Sequence, residues 1–581
     1  MREIDVHPPL LLDPRPLVRS RPVPLAPRLP SLQGRRLLLF DNDCLHHWEG
    51  PYAVVYPTLA QRLQAQYGVG ECRRMKVRLA GSAPGTVPRL AAAIAASDAE
   101  AVVIALCETA TAAATLLLAW ELERQGMPTV TVCQEAALYL AAAMTMTVLP
   151  GLPLSSLTLI RPPSDPELVA EMLWVAGEVE EALISSPEQL QRQFRQTFMT
   201  APERLQANTA GELSLWNVHS YRLTESASID LDPSTYAAEL YEAFSDSGLC
   251  DGLPIIPPTR ERVEAMLAWS ARDAVEPIVP RCFPSGLPLT VGTLAINAVM
   301  AGCRPNSFPI LLTAADAVAD PRYQLMRAGV ASHPGGHAIL VSGPLAEEAG
   351  LASEGGCLGP GFRANLTISR ALNLSLANAS HPLPQRTHLS TMGSAAQLAF
   401  CCAENVHASP WSAFHMDRFD AATTCVTVVK CESPHNVVEQ LSTRAERLMH
   451  GIADVVATLG RHSAYVPADL VVLFNPAHAR LMHADGWSKQ DVQRFLVEHA
   501  RNPRQLLIER GIEPVRSAAL TDQAWIPVVS SPEDVLVFVA GAPGPHTMVG
   551  LSWGYSRAVT KAVTRPDGQP ARHLLECYRG G

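Results

Sequence analysis

Two cysteines stand where a chain can use a thiol. Cys107 closes the apolar run in "VVIALCETATAA" (102–113) and directly precedes a stretch of helical character. Cys250 stands immediately before an Asp-Gly turn and the proline-studded "LPIIPPT". Unpaired amides at the start of a helix stabilise negative charge, so they favour a thiolate at Cys107, and the thiolate is the nucleophilic form. The neighbouring carboxylate of Glu108 opposes that ionisation; alternatively it serves as a general base for the thiol or the substrate. A third thiol, Cys44, follows another apolar run in "FDNDCLHHWEG", beside Asp41, Asp43, His46 and His47. Thiolate and imidazole ligate zinc or copper. No second ligand pair with metal-site spacing follows, so a metal at Cys44, His46 and Cys107 competes with a substrate-contacting or solvated loop. Cys133, ending "PTVTVC", reads as buried packing.

Further candidates lie downstream. "NAVMAGCRP" brings Asn297, Cys303 and Arg304 to a helix end, and "GGCLGPGFRANLTISR" joins a glycine-rich turn to Arg363, Asn365 and Arg370. Glycine lets backbone amides approach an anion, and arginine clamps a carboxylate through two hydrogen bonds. The Gly-Lys-Ser/Thr ending of a phosphate loop is absent, and tight turns in a compact domain explain the glycines equally well. Asp251, Asn297, Arg304, Arg363 and Asn365 are the expected substrate contacts. Histidine titrates near neutrality, so His333, His337, His478 and His546 are potential acids or bases for a thiol. His337 and His546 stand out because Gly and Pro surround them in presumed loops.

These residues need elements to position them. Residues 1–34 hold eight prolines and read as an extended arm that wraps its own protein or a second subunit. From 35 to 187, short β-branched runs alternate with helical runs: strands at "RRLLLF", "RRMKVRLA", "AVVIAL", "PTVTVC" and "LTLI", with helices between and after them. That alternation predicts a doubly wound parallel sheet, whose ligands bind at the carboxyl ends of the strands. Cys44, Cys107 and Cys133 all fall at that rim. Residues 188–235 read as a linker. Residues 236–581 read as one larger α/β or α+β domain, with a candidate subdivision near 450, strands at "FPILLTA", "HAILVSG" and "DVLVFVAG", and no evident internal repeat.

A chain of 581 residues with 48% hydrophobic content is ample for two or three cores. A mixed net charge of −10 offers no basic face to nucleic acid. The most apolar window, 110–120, is too short to span a bilayer. Thirteen irregularly spaced cysteines without a CxxC pair point to free thiols in a reducing cytoplasm.

The segment "VVIALCETATAAATLLLAWELERQGMPTVTV" resembles the selenocysteine region of the B components of glycine and proline reductases. It is closer still to the UGSC-type (seleno)protein family. There, selenocysteine or cysteine follows the apolar strand, with a second cysteine three residues on, then a helix, Gly-Ile-Pro and a strand. Cys107 takes the first position and "GMP" at 126–128 that of Gly-Ile-Pro, but Ala110 replaces the second cysteine. "DGLPIIPPTRERVEAML", "LAINAVMAGCRPNSFPILL", "GCLGPGFRANLTISRAL" and "AENVHASPW" resemble the large domain commonly fused to such modules. The resemblance implies a Rossmann- or flavodoxin-like thiol domain and a cytoplasmic thiol-dependent reductase or lyase. Cys107 would be its nucleophile for cleaving a C–N or C–S bond of a small polar molecule at the domain interface. Cys250, or an external thiol or thioredoxin-like reductant, would supply the thiol that Ala110 lacks. The alternatives are an isomerase or lyase of the aspartate/glutamate racemase type with Cys44 and Cys107 as acid and base, and a metal-binding protein. A homo-oligomer is expected; the cofactor and the substrate are left open.

Overall fold

The computed structural model describes residues 11–12, 14, 24–41, 49–77, 79, 86–106, 109–134, 138, 141–142, 151–157, 166–198, 215–217, 222–223, 236–246, 248–282, 285–329, 331–380, 390–512 and 523–579. The chain mixes helices and strands, and its N-terminal sheet is parallel throughout. Five strands build that sheet: β1 (Arg36–Asp41), β2 (Glu71–Lys76), β3 (Ala101–Leu106), β4 (Thr129–Gln134) and β5 (Leu154–Leu157), in the order β2-β1-β3-β4-β5. Alternate residues of the same strands feed opposite cores. Leu38, Phe40, Val102 and Ile104 pack with helices α2 (Thr86–Ala95) and α3 (Thr109–Arg124). Leu37, Leu39, Ala101 and Val103 pack with α1 (Glu49–Tyr67) and α4 (Pro166–Ile184). Burial on both faces is why these strands read as continuous apolar runs. The last strand ends at Leu157, whereas "LTLI" begins there and its residues 158–160 lie outside the described residues.

The proline-rich arm folds back on its own chain. Leu25 enters the α2–α3 core, and the amide of Leu29 donates to Leu183 O at 2.8 Å. Arg28 and Glu123 form an ion pair whose side chains are 2% and 0% exposed. Earlier in the arm, Leu11–Leu12 pairs in parallel with Leu215–Trp216, so arm and linker share a small sheet.

The C-terminal region holds two four-stranded sheets built alike. In the first, β6 (Gly336–Ser342) has β7 (Cys401–Ala403) parallel on one side and β8 (Cys425–Cys431) antiparallel on the other. In the second, β10 (Leu470–Phe474) has β11 (Val535–Val539) parallel and β12 (His546–Leu551) antiparallel. The fourth strands are exchanged. β9 (His435–Val438) follows β8 but pairs with β12, while β13 (Val559–Ala562) follows β12 but pairs with β8. This is an internal repeat of topology that the sequence conceals, since similar strand order needs only similar patterning.

The sheets lie face to face. Ala338, Leu340, Val429, Val471, Leu473, Leu536 and Phe538 share the core between them. The outer faces are covered by α5 (Val291–Ala301), α6 (Phe308–Ala319) and α8 (Arg363–Ser380) on one side. On the other they are covered by α9 (Ala445–Val456), α10 (Pro476–Ala484) and α11 (Lys489–His499). The region is therefore a four-layer α/β/β/α sandwich. "FPILLTA", expected as a strand, lies within α6. The run is apolar all round, so its periodicity cannot separate strand from buried helix, whereas Pro309 in the first turn suits a helix start and would break a ladder.

Contacts among the described residues join the regions. Helix α7 (Leu325–Gly329) packs on α3, with Met326 against the α2–α3 core. The Arg281 guanidinium sits 4.8 Å from the centre of the Trp120 ring, also on α3.

Candidate functional site

In a sheet of this order, connections leave in opposite directions from β1 and β3, which opens a crevice at their carboxyl ends. The two strands are direct neighbours, with Asp41 opposite Ala105. Their ends are held by local polar contacts. Arg74 on β2 pairs with Asp41 and stacks over Tyr56, whose hydroxyl donates to Phe40 O. Cys107 is the next residue after Leu106, where β3 ends, and α3 begins at Thr109. Cys107, Glu108, Cys44, Asp43, His46 and His47 themselves lie outside the described residues. Cys133 is fully buried in the α2–α3 core, and burial pushes its thiol well above the ordinary range.

The family model of the UGSC family matches residues 10–184. The UGSC-matched segment therefore covers the arm and the parallel-sheet domain, with Cys107 inside it, and leaves the four-layer sandwich outside. No curated protein matches the chain, and neither does any solved structure.

Cys250, beyond the UGSC segment, is half-buried and unbridged, as are all described cysteines in the sense of carrying no disulfide. The turn after it is tightly pinned. Arg370 donates to both Asp251 carboxylate oxygens at 2.7 and 2.8 Å, and also to the carbonyls of Leu253 and Pro254. Tyr241 donates to Gly252 O and Asn378 to Leu249 O. Asp251 thus orders its own loop, with its acceptors engaged by Arg370.

The remaining expected contacts divide in two. Asn297 is buried and donates to Thr293 O and Pro14 O, while accepting from Asn378. Asn365 is buried and ties the glycine-rich turn together through Ala352 and the Cys357 carbonyl. Both amides are satisfied within the fold. Arg363 and Arg304 are exposed at the neighbouring end of α5, with Arg363 Nε donating to Gly302 O. His546 opens strand β12 rather than sitting in a loop; it is exposed, with Nδ1 3.1 Å from Asn436 Oδ1. His337 is inside β6, 8% exposed, and touches Tyr323. His333 contacts Glu432, and His478 lies between Thr547 and the Glu439 carbonyl. Among the described residues no group of three or more His, Cys, Asp or Glu is arranged to hold a metal ion. No helix among them is long and apolar enough to cross a membrane.

Sequence reasoning passed over a polar cluster at the carboxyl ends of the parallel strand pairs. Burial pushes the Glu404 carboxyl up to about 7, although Ser342 Oγ and the Phe414 amide both donate to it. Ser342 Oγ also lies 2.8 Å from His415 Nδ1 and accepts from the His415 amide at 3.0 Å. Next to this network, Asn405 joins the two sheets, its amide donating to Val539 O and its side chain to Gly541 O. Cys357, in the glycine-rich turn, faces Cys402 on β7. That contact draws the Cys357 thiol down; burial opposes the effect, and the amides of Gly541 and Leu358 reinforce it. Cys402 is driven well up by the same contact and by burial. The signal available in the sequence was "FCCAEN", where an acid and an amide end an apolar run.

Proposed function

We propose that the chain is a thiol-dependent enzyme acting on a small polar molecule, with the Cys107 thiolate as nucleophile. The observation that carries this reading is the strand order: β1 and β3 flank the crevice of the parallel sheet, and Cys107 follows β3 two residues ahead of α3. The UGSC match over the same domain supports it, as does the packing of α7 on α3, which brings the second region against the helix that follows the thiol.

The proposed reaction begins with attack of the thiolate on carbon. The C–N bond breaks and the amine leaves with a proton, so a thioether joins the substrate to Cys107. A second thiol, from Cys250 or an external donor, then attacks the Cys107 sulfur. The C–S bond breaks, the carbon takes a proton, and a disulfide remains for a thioredoxin-like dithiol to reduce. Glu108 would move the proton at the thiol. A cytoplasmic, homo-oligomeric enzyme fits this reading.

A second reading is favoured by one observation, that β1 and β3 are direct neighbours. Cys44 and Cys107 each follow one of them, so the two thiols could act as an acid/base pair. Incubation with small amines and thioethers, followed by intact-mass analysis, separates the readings. A covalent adduct that disappears in Cys107→Ser supports the nucleophile. Solvent deuterium in recovered substrate, with no adduct, supports acid/base chemistry and rejects the first reading.

A further inference from the structure

The helix-facing side of the first sheet carries an arrangement that packing does not require. Lys430 is the next-to-last residue of an otherwise apolar and β-branched run in β8, and stands directly opposite His337 on β6. Both side chains leave the sheet on the face of Ile339, Val341, Val426 and Val428, because side chains alternate along a strand. Tyr323, from the turn Pro321–Tyr323, closes the group with its hydroxyl at 2.5 Å from His337 Nδ1. Tyr323, His337 and Lys430 are 0%, 8% and 5% exposed. Among the described residues Lys430 makes no side-chain hydrogen bond or ion pair, and its Nζ is not sealed from solvent, so the ammonium can meet a small ligand at the mouth of the group.

A largely buried ammonium without a counter-charge is unfavourable, and the usual native solution is a carboxylate partner. The acids next in the chain and in space are committed elsewhere. Glu432 pairs with His333 and Arg461, and Asp469 with Arg557 and the Ala558 amide. We propose that Lys430, His337 and Tyr323 form a binding site for a small carboxylate between this sheet face and the turn that carries Tyr323. Lys430 supplies one positive charge and up to three donors, which suits a monoanion; a phosphate dianion would call for an arginine fork. With Tyr323 donating to Nδ1, the neutral His337 keeps its proton on Nε2, as a further donor. The turn continues through Gln324 into α7, which packs on α3, the helix that follows Cys107.

The titratable group directly opposite Lys430 is His337 from β6, which in turn contacts Tyr323 from the turn, and Tyr323 also feels Cys431. Burial lowers Lys430 to about 8, pushes His337 well below its ordinary value with help from the Lys430 charge, and raises Tyr323 well above its own. At pH 7 the lysine is therefore mostly charged, the histidine neutral and the tyrosine protonated. Carboxylate affinity is full below about pH 8 and falls about tenfold per unit above it.

Thermal unfolding of the full chain in sodium acetate, against sodium chloride at equal ionic strength, tests the site. Acetate raises the midpoint at pH 7, and the rise vanishes at pH 10. Lys430→Met melts higher than the wild type in chloride, having lost an uncompensated charge, and binds acetate at least tenfold more weakly. His337→Gln keeps the lysine and weakens the response by a smaller factor. Acetate acting no differently from chloride on the wild type, or an undiminished acetate response in Lys430→Met, overturns the proposal.

Discussion

Glu404→Gln is the sharpest perturbation of the sandwich. Glu404 is 7% exposed, and burial raises its carboxyl from the ordinary value of 4.5 to about 7. A carboxyl whose folded pKa lies above its unfolded one binds protons more readily in the native state. Its neutral form is accommodated fully at low pH, and stability is lost as pH rises from the unfolded value through the folded one. The 2.5-unit difference between 4.5 and about 7 corresponds to about 3 kcal/mol lost between pH 4 and pH 8. Glutamine presents a neutral amide of the same shape, and its carbonyl oxygen accepts from Ser342 and the Phe414 amide as Glu404 does. Chemical denaturation at pH 4, 6 and 8 reads the effect. The wild type should lose about 3 kcal/mol more than Glu404→Gln across that span. Equal pH dependence in the two proteins, or a glutamine variant less stable than wild type at pH 8, would refute the assignment of a mainly desolvated carboxyl.

Two further perturbations address the parts that hold the site regions in place. Asp251→Asn removes the charge that Arg370 clamps through two hydrogen bonds; the variant should lose about 1.5–3 kcal/mol, and hydrogen exchange should accelerate in 249–256. Glu123→Ala leaves Arg28 charged and buried, since their side chains are 0% and 2% exposed; a loss of about 3–5 kcal/mol is expected, with proteolysis of the arm at residues 24–30 as the first visible consequence.

The parallel-sheet domain was readable because its central strands are short apolar runs separated by amphipathic or alanine-rich helices, while strand order needed coordinates. The sandwich was less readable for physical reasons. The first part of Phe308–Ala319, ahead of Asp316, has no charged face, which erases the periodicity that distinguishes helix from strand. The exchange of β9 and β13 between sheets is a long-range pairing that no local pattern encodes. For polar residues the sequence pattern does not report burial or internal partners. Asp251, Asn297 and Asn365 read as ligand contacts, and the hydrogen bonds the structure gives them go to the fold's own loops and helix ends. Lys430 and Glu404 drew no notice because burial, which gives each its altered acidity, is not a property of the residue's neighbours in sequence.

The central claim, a nucleophilic thiolate at Cys107, is tested most directly by its rate of alkylation. Native protein is treated with iodoacetamide from mildly acidic to alkaline pH, and labelling at Cys107 is followed by peptide mass spectrometry. The account predicts that Cys107 labels in the folded protein and that its rate rises to a plateau with an inflection clearly below the ordinary thiol value of about 8.5. An inflection at or above that value, or labelling only after unfolding, would contradict it.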